Sequence, residues 1–479
     1  MAISNQQIVA SLWWKILERL FTQGVNLIVQ IILARILMPE DFGVLAIIIA
    51  ITNYAGLFVQ SGLSTALVQK KELEPLDVGT LLISSLSIAA IMYLGLFFAA
   101  PYLAQGYKLP DLLWPLRIVA LTLFLNAINS VQSALYFRAM RFKALFFRSF
   151  FAVLISGMIG IFMAYEGYGI WALVMHTLTN VLIIIIYMAF DSNARLNWLF
   201  SFDRAKVLYA FSGKILLANL ISGFGDTLRT MLIGKKYATD QLAYYDKAYT
   251  YSNYVTQSIT LSLSTVLLPV FSQQQDDIEH LRAMARKSVQ MTAFLVIPIL
   301  IAVIATSKPL VILLLTNKWA PCIPFLMLFC LLRIPGCITS IDKQVFYAIG
   351  NSSISMYYEV FILISNVIML IITIPIGIMA IAIGATIIEF IGCFIIFIVS
   401  KKVYKYKLKE RFSDLYRPTL YSISMAIAMY SVFYLGLSDL TTLIIQIITG
   451  IVVYFGLAKL CKDKNLSYIQ LIIKNKLTQ

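Results

Sequence analysis

The sequence predicts an all-α integral membrane protein with 14 transmembrane helices, arranged as two six-helix lobes followed by two further helices. Three observations carry this prediction. The 479 residues are 60% hydrophobic and only 13% charged, with a mean hydropathy of +0.85, which is far more apolar than a soluble domain. Apolar runs of about 20 residues, each long enough to cross a bilayer, recur along the chain. An apolar helix pair near the N-terminus also returns 200 residues later.

The fourteen predicted spans are separated by short polar connections that carry most of the charges. Boundaries read from apolar runs are good to a few residues. In chain order, the spans are predicted at 12–37, 42–67, 79–104, 112–137, 146–165, 168–190, 207–234, 241–271, 289–315, 320–348, 355–375, 378–400, 417–437 and 440–460.

The repeat is recognised by matching residues at one constant offset. Arg35, in the hairpin that ends the first span, corresponds to Lys235, and Asn53-Tyr54 corresponds to Asn253-Tyr254. The strings 63–67 and 263–267 also match, without a gap. An offset of six spans returns the chain to the same orientation, so the two copies are predicted to be parallel repeats related by an axis along the membrane normal.

The repeat divides the chain into four segments. A first lobe is predicted over 1–190 and a second over 207–400, and 401–479 holds a basic loop, the last two spans and a tail. The connection 191–206 is too polar to span a bilayer, but it carries Trp198, Phe200 and Phe202 beside two arginines. We therefore predict that it is a linker lying at the cytoplasmic headgroups.

Lys and Arg define the orientation. Of the 38 basic residues, 24 lie in alternate connections and the C-terminal tail, on one side of the predicted topology. The basic side of a membrane protein faces the cytoplasm, so both termini are predicted to be cytoplasmic. This distribution also accounts for the net charge of +15 without nucleic acid as a partner. The N-terminal apolar run contains charges and exceeds signal-peptide length, so we expect it to be retained.

Motifs for catalysis, metal binding and ATP are missing from the sequence. The five cysteines show no metal-ligand spacing, and two histidines are too few for a histidine cage. Gly213-Lys214 fails the phosphate-loop pattern, because Ile215 follows the lysine and the preceding glycine is missing. We predict no metal, no cofactor and no enzymatic activity. A coupling ion, Na⁺ or H⁺, is left open.

Charged residues within the spans are the candidate site, because a charge in hydrocarbon is costly and usually functional. The basic members are predicted to line a central cationic cavity open to the cytoplasm. The alternative is that neighbouring acids simply neutralise them: Glu18 with Lys15, Asp226 with Arg229, and Asp246 nearby. The predicted cavity residues are Lys15, Arg19, Lys214, Arg229 and Lys247, with Arg35, Lys235, Tyr249 and Arg333 as secondary candidates.

Nine strings in the chain resemble those of the bacterial polysaccharide transporter family, the Wzx-type oligosaccharide flippases. The resemblance is closest to flippases of colanic-acid and teichuronic-acid clusters and covers nearly the whole chain. The strings lie at 34–43, 62–70, 134–143, 167–174, 213–214, 233–234, 268–272, 319–321 and 348–351.

The resemblance implies the fold of multidrug and toxin extrusion transporters and a place in the multidrug/oligosaccharidyl-lipid/polysaccharide exporter superfamily. It implies a protein of the bacterial inner membrane that moves an undecaprenyl-pyrophosphate-linked oligosaccharide to the outer leaflet by alternating access. Membrane lipid, and the polymerase and chain-length regulator of the same pathway, are the further partners it suggests. Family binding residues form no fixed motif, so none is carried over.

Two alternatives stay open at this point. A cation-coupled multidrug exporter of the same fold would favour an acidic or aromatic cavity, whereas the bases outnumber the acids here. A membrane-embedded glycosyltransferase or polymerase would use the same lipid carrier. Such an enzyme needs a long outward loop or a pair of carboxylates at the outer face, and the sequence shows neither.

Overall fold

A computed structural model describes residues 5–60, 67, 73–190 and 197–477. Among these residues the secondary structure is entirely helical, with three short 3₁₀ turns, at 110–112, 317–319 and 432–435. The α-helices, numbered along the chain, are α1 Asn5–Ile36, α2 Pro39–Gln60, α3 Pro75–Tyr107, α4 Leu113–Ala120, α5 Thr122–Arg138, α6 Phe142–Tyr165, α7 Ile170–Ala189, α8 Phe202–Lys236, α9 Thr239–Ser272, α10 Ile278–Leu315, α11 Cys322–Ala348, α12 Ser352–Thr373, α13 Ile378–Val403, α14 Leu408–Ser431, α15 Asp439–Leu460 and α16 Lys464–Leu477.

The helix boundaries reproduce the 200-residue offset at the hairpins. Helix α1 ends at Ile36 and α2 begins at Pro39, while α8 ends at Lys236 and α9 begins at Thr239. Proline suits the first turn of α2, because a helix leaves that backbone N–H unbonded and the ring presets φ. The Asp41 carboxylate accepts a hydrogen bond from the Met38 N–H at 3.3 Å. The repeated string at 63–66 lies outside the described residues.

Twelve helical segments among the described residues are long and apolar enough to cross a membrane, and the protein is a multi-pass membrane protein. The 3₁₀ turn 110–112, α4 and α5 together form one of these segments. Helices α8 and α9 are 35 and 34 residues long but have low mean hydropathy, because polar and charged residues interrupt their apolar runs. The count of 14 spans and the parallel arrangement of two lobes stay predictions.

The contacts divide the chain into two compact units, Met1–Ala243 and Tyr244–Gln479. This division groups α8 with the first unit, whereas the sequence analysis assigned 207–234 to the second lobe. The reason is local packing: α8 packs along α2 and also contacts α3. The predicted segments 1–190, 191–206, 207–400 and 401–479 stay a prediction about the duplicated architecture, and 191–196 lie outside the described residues.

The first unit is organised around four helix pairs: α1 with α6, α6 with α7, α2 with α8, and α3 with α5. Leu81, Val131 and Leu208 are buried together where α3, α5 and α8 meet. Close approach also requires a glycine, since a Cβ on Gly43 would overlap the carbonyl oxygen of Thr239. The α8–α9 turn therefore lies directly against the start of α2.

The second unit is built around α10, which packs against α11, α14 and α15, while α11 packs against α13. One buried cluster joins α9 through α13 and includes Phe271 and Phe346. A second cluster joins α10 to the last two long helices through Phe294, Tyr421 and Tyr454. The two helices outside the predicted repeat are thus integral to the core of this unit.

Two predicted polar connections of the second unit prove to be partly helical. Helix α10 begins at Ile278, eleven residues before the predicted span at 289, and α14 begins at Leu408, nine residues before the predicted start at 417. Apolar runs end where charges begin, but a helix can continue through charged residues, since Arg, Lys and Glu have high helix propensity. Here the charged turns of α10 and α14 bind one another.

Candidate functional site

Three charged residues form one stripe on α1 within the first unit. Lys15, Glu18 and Arg19 are spaced three and four residues apart, which places them on one helix face. The Lys15 Nζ lies 3.1 Å from the Glu18 Oε2 and 5.1 Å from the centre of the Phe137 ring. The Lys15 side chain is 46% exposed, so its ammonium stays accessible although it has an acidic partner.

Glu18 fixes this stripe to the interior of the unit. Its second carboxylate oxygen accepts a hydrogen bond of 2.9 Å from the hydroxyl of Ser149 on α6. The neighbouring Arg148 is buried and donates to Asn129 and Ser133 of α5, at 3.2 and 2.9 Å. Arg148 is one of the 24 bases that were counted toward the cytoplasmic side, and that assignment stays a prediction. The sequence did not show that its side chain is buried in this network.

On α8 the structure places Arg229 in a second local ion pair. Its guanidinium lies 2.8 Å from the carboxylate of Asp226, one helical turn earlier. The Arg229 side chain is only 13% exposed, whereas that of Asp226 is 65% exposed. The pairs Lys15–Glu18 and Asp226–Arg229, named as the neutralising alternative, are therefore both present. The backbone of Lys214 belongs to α8, but its side chain lies outside the described part of the chain.

Helix α9 carries a buried lysine and a tyrosine beneath an arginine. Lys247 is buried, and Asp246 and Cys322 are close enough to interact with it electrostatically. Tyr249 lies under the guanidinium of Arg333 from α11, 4.4 Å from ring centre to carbon. Arg333 also donates to the Tyr249 carbonyl oxygen at 3.4 Å. The structure thus brings the two secondary candidates of the second unit together.

The candidates occupy different depths along their helices. At 1.5 Å per residue, Lys15 lies about 30 Å from the end of α1, whereas Arg229 lies only about 10 Å from the end of α8 and Lys247 about 12 Å from the start of α9. Arg35 and Lys235, the remaining secondary candidates, are exposed at the ends of α1 and α8. The basic residues therefore lie at different distances from the ends of their own helices.

These ion pairs can exchange partners. In each pair one side chain is exposed, Lys15 in the first and Asp226 in the second. Both pairs lie within a single helix and do not join two helices. An incoming phosphate could take the place of the carboxylate beside Lys15 or Arg229, since charge-assisted hydrogen bonds to phosphate resemble those to carboxylate. The bound anion would then offset the free-energy cost of placing a base within the membrane. In the unliganded protein the neighbouring carboxylate offsets that cost.

A different, closed ionic network in the second unit was missed by the sequence analysis. Arg411 and Asp342 form a bidentate pair whose side chains are both fully buried. The Tyr404 hydroxyl and the Ser400 hydroxyl also donate to Asp342. Arg286 of α10 binds both oxygens of Asp414, each at 2.9 Å. The network joins α10, α11, α13 and α14.

Two tyrosines between α13 and α14 complete this network. Burial, followed by the charge of Asp342, raises the pKa of Tyr404 well above its ordinary value. Burial and a 2.7 Å hydrogen bond to Asp414 raise the pKa of Tyr406. Both phenols therefore stay protonated and act as hydrogen-bond donors to the carboxylates. The sequence showed these residues only as part of a basic loop.

An apolar cavity of about 550 Å³ between α11 and α13 offers no binding site for an anion. It is lined by eight side chains, all aliphatic or phenylalanine except Thr386. The Thr386 hydroxyl donates within its own helix, to the Ala382 carbonyl oxygen at 2.9 Å. No group of three or more His, Cys, Asp or Glu side chains that could hold a metal occurs within the described ranges.

Comparison with known proteins gives the chain a family. A family model described as "Polysaccharide biosynthesis protein" matches residues 32–324, more than half of the chain. Among curated relatives, the succinoglycan biosynthesis transport protein ExoT of Rhizobium meliloti (strain 1021) is 26% identical over 348 residues, covering 73% of this chain and 70% of the relative. The lipopolysaccharide biosynthesis protein WzxC of Escherichia coli (strain K12) is 21% identical, covering 74% and 73%.

Solved structures share the fold. The lipid II flippase MurJ in an inward closed conformation aligns with a TM-score of 0.77 at 16% identity, covering 96% of this chain and all of MurJ. An inward-facing multidrug resistance MATE family transporter aligns with a TM-score of 0.62 at 15% identity, covering 79% of this chain and 94% of the transporter. These likenesses establish the all-helical membrane fold predicted from the sequence.

Proposed function

Because the chain belongs to the polysaccharide biosynthesis protein family, we propose that it is a flippase for a lipid-linked oligosaccharide. The proposed substrate is an undecaprenyl-pyrophosphate-linked repeat unit, moved from the cytoplasmic to the outer leaflet of a bacterial inner membrane. The relatives named as polysaccharide transport and biosynthesis proteins support a transport role over catalysis.

The observation that carries the proposal is the set of bases within long helices. Lys15, Arg19, Arg229 and Lys247 all lie well inside α1, α8 and α9. A pyrophosphate cannot cross hydrocarbon unaided, because desolvating an anion costs several kcal/mol at least. Bases on the helices offset that cost, while the prenyl chain, which is apolar, stays in lipid.

We further propose alternating access, in which the headgroup site opens first to one leaflet and then to the other. Lys15 and Arg19 bind the pyrophosphate near the cytoplasmic end, and Arg229 and Lys247 bind it further across. During the cycle, Lys15 and Arg229 exchange the carboxylates of Glu18 and Asp226 for the pyrophosphate, and the ion pairs form again after the substrate has left. An ion gradient of Na⁺ or H⁺, the membrane potential or removal of the product drives the cycle.

The test is the leaflet in which lipid-linked units accumulate. A strain that lacks the polymerase of the same glycan is compared with one that also lacks this protein. We expect the units to be accessible to an impermeant lectin in the first strain and inaccessible in the second. Equal accessibility in both strains would contradict the flippase proposal. Loss of the units themselves from the second strain would instead indicate an enzyme in their synthesis.

A multidrug exporter is the second candidate, because the MATE fold neighbour shows that this architecture suits such a transporter. An exporter of cationic drugs would be expected to lower the accumulation of a cationic dye in cells. Expression of this protein should leave dye accumulation unchanged, since the intramembrane bases repel cations. Dye efflux that depends on Asp226 would favour the exporter.

A further inference from the structure

The segment that leads into α8 exposes an unusual amount of apolar surface. Residues 197–201 are not helical, and α8 begins at Phe202. The side chains of Trp198 and Phe202 are 67% and 77% exposed, and Leu199 and Phe200 are also exposed. The rings of Phe200 and Phe202 contact each other with centres 5.0 Å apart. We call residues 197–202 the connector.

The opposite side of the connector is fixed to the start of α3. The Ser201 N–H donates to the Thr80 hydroxyl at 3.1 Å. A Cβ on Gly79 would overlap the carbonyl oxygen of Leu199 and lie 2.9 Å from that of Asn197. The two backbones are therefore in direct contact, and only glycine permits this approach.

An ion-pair cluster just beyond the connector reinforces this attachment. Arg204 donates to Asp77 at 2.9 Å and to Glu74 at 2.6 Å. The Asp77 side chain is 1% exposed and also accepts from the Glu74 N–H. These carboxylates raise the pKa of Arg204 above its ordinary value. The Arg204 guanidinium is thus paired with carboxylates at the start of α3. The connector is attached to α3 both by these ion pairs and by the contact between the two backbones.

We propose that the connector is a membrane-interface anchor. It is attached to α3 and places the side chains of Trp198, Phe200 and Phe202 in the lipid headgroup layer. Aromatic side chains concentrate at this level of a bilayer, where the rings contact lipid and nearby polar groups stay hydrated. The charges of Glu74, Asp77, Asp203 and Arg204 mark the polar end of the adjoining helices, which puts the exposed rings at that boundary and not in the hydrocarbon centre.

The chemistry of the anchor is aromatic rather than electrostatic. Arg204 is paired with two carboxylates, and the charge of Lys206 is balanced by that of Asp203 in the same stretch of sequence. A polybasic surface would bind anionic lipids, and its affinity would fall as the salt concentration rises. The membrane affinity of an aromatic anchor depends neither on anionic lipid nor on salt. The inference stands independently of the proposed transport function.

Fluorescence quenching in the full-length protein tests the inference. In a variant that keeps Trp198 and replaces the other five tryptophans by phenylalanine, we expect stronger quenching by lipids brominated near the headgroup than by lipids brominated deep in the chain. The quenching should be equal in zwitterionic vesicles and in vesicles with added anionic lipid. The difference between wild-type protein and Trp198→Phe gives the same readout if the single-tryptophan variant folds poorly.

Three outcomes of the quenching experiment would contradict the anchor proposal. Quenching by aqueous iodide without quenching by lipid would place Trp198 in water. Protection from both quenchers would indicate that protein covers it. Dependence on anionic lipid would make the contact electrostatic. A variant that keeps only Trp319, which is fully buried, gives the protected reference for comparison.

A matched pair of glycine substitutions tests the attachment to α3. Gly79→Val places a side chain where the connector backbone lies, so shallow quenching of Trp198 should fall at least twofold. Gly95→Val is the control on the same helix, because a Cβ there meets nothing within 4 Å. Equal quenching in the two variants would show that the connector does not depend on this contact for its position.

Discussion

The ion pairs of α1 and α8 differ from the ionic network of the second unit in the exposure of their side chains. Lys15 is 46% exposed beside Glu18, and Asp226 is 65% exposed beside Arg229. Arg411 and Asp342 are fully buried. A pair with an open member can exchange its partner for a ligand, whereas a closed pair can only hold helices together. Exposure therefore separates candidate binding residues from structural ones.

The largest effect is expected from breaking the closed pair. Arg411→Ala leaves the Asp342 carboxylate buried without its cation, which costs about 3–5 kcal/mol. Since whole proteins are stable by only about 5–15 kcal/mol, we expect a steep drop in the yield of monodisperse protein and in its unfolding midpoint. The double variant Asp342→Leu with Arg411→Met should recover much of the loss. A fully stable Arg411→Ala protein would contradict the structural role.

A smaller loss is expected at the edge of the same network. Arg286→Ala removes the bidentate partner of Asp414 but leaves the donors Gln290 and Tyr406, so the cost should be about 1–3 kcal/mol. Arg282 is the matched control, because it makes a single 3.1 Å contact to Glu410. Its replacement by alanine should cost about 0–1 kcal/mol. Thermal unfolding in one detergent compares the two, and equal losses would argue against the closed network.

The open pairs should behave in the opposite way. Lys15→Ala and Arg229→Ala are expected to lower transport roughly tenfold to hundredfold, which corresponds to losing one hydrogen bond to a charged group. The unfolding midpoint should change little, since each base is partly exposed or locally paired. Lys402→Ala, an exposed base at the end of α13, is the control. Unchanged transport in both site variants would remove them from the proposed site.

The smallest effect is expected at Glu18. Glu18→Gln keeps a side-chain oxygen for Ser149 but removes the charge that competes with phosphate for Lys15. Because a half-exposed pair is worth about 0.2–1 kcal/mol, we expect lipid-linked substrate to bind roughly two- to fivefold more tightly. Binding to the purified protein gives the measurement. Weaker binding would mean that Glu18 orients Lys15 and does not compete for it.

Much of the fold followed from the sequence because its signals are local. Apolar run length predicted the twelve segments that are long and apolar enough to cross a membrane. The 200-residue offset predicted both hairpins, whose helix ends lie within three residues of the predicted bounds. Helices α8 and α9 were also predicted as spans from apolar runs, but their mean hydropathy is low, so their crossing of the membrane stays a prediction. The starts of α10 and α14 were misplaced because the charges that ended the apolar runs are paired across helices, and sequence spacing does not show such pairs.

The candidate site was predictable only in part. The spacing of Lys15, Glu18 and Arg19, and of Asp226 and Arg229, predicts pairs within one helix, and the structure contains both pairs. Asp342 and Arg411 are 69 residues apart, so their pairing requires the packing of α11 against its neighbours. The burial of Arg148 was not predictable for the same reason, because a base near a span end gives the same sequence pattern whether it faces water or the protein interior.

The most direct test of the central claim is translocation in purified proteoliposomes. An undecaprenyl-pyrophosphate-linked oligosaccharide is placed in the inner leaflet, and its appearance outside is followed with an impermeant lectin. We predict translocation by the wild-type protein, a severe loss in the folded double variant Lys15→Ala with Arg229→Ala, and normal rates for Lys402→Ala. Equal rates in wild-type protein, the double variant and protein-free vesicles would contradict the account.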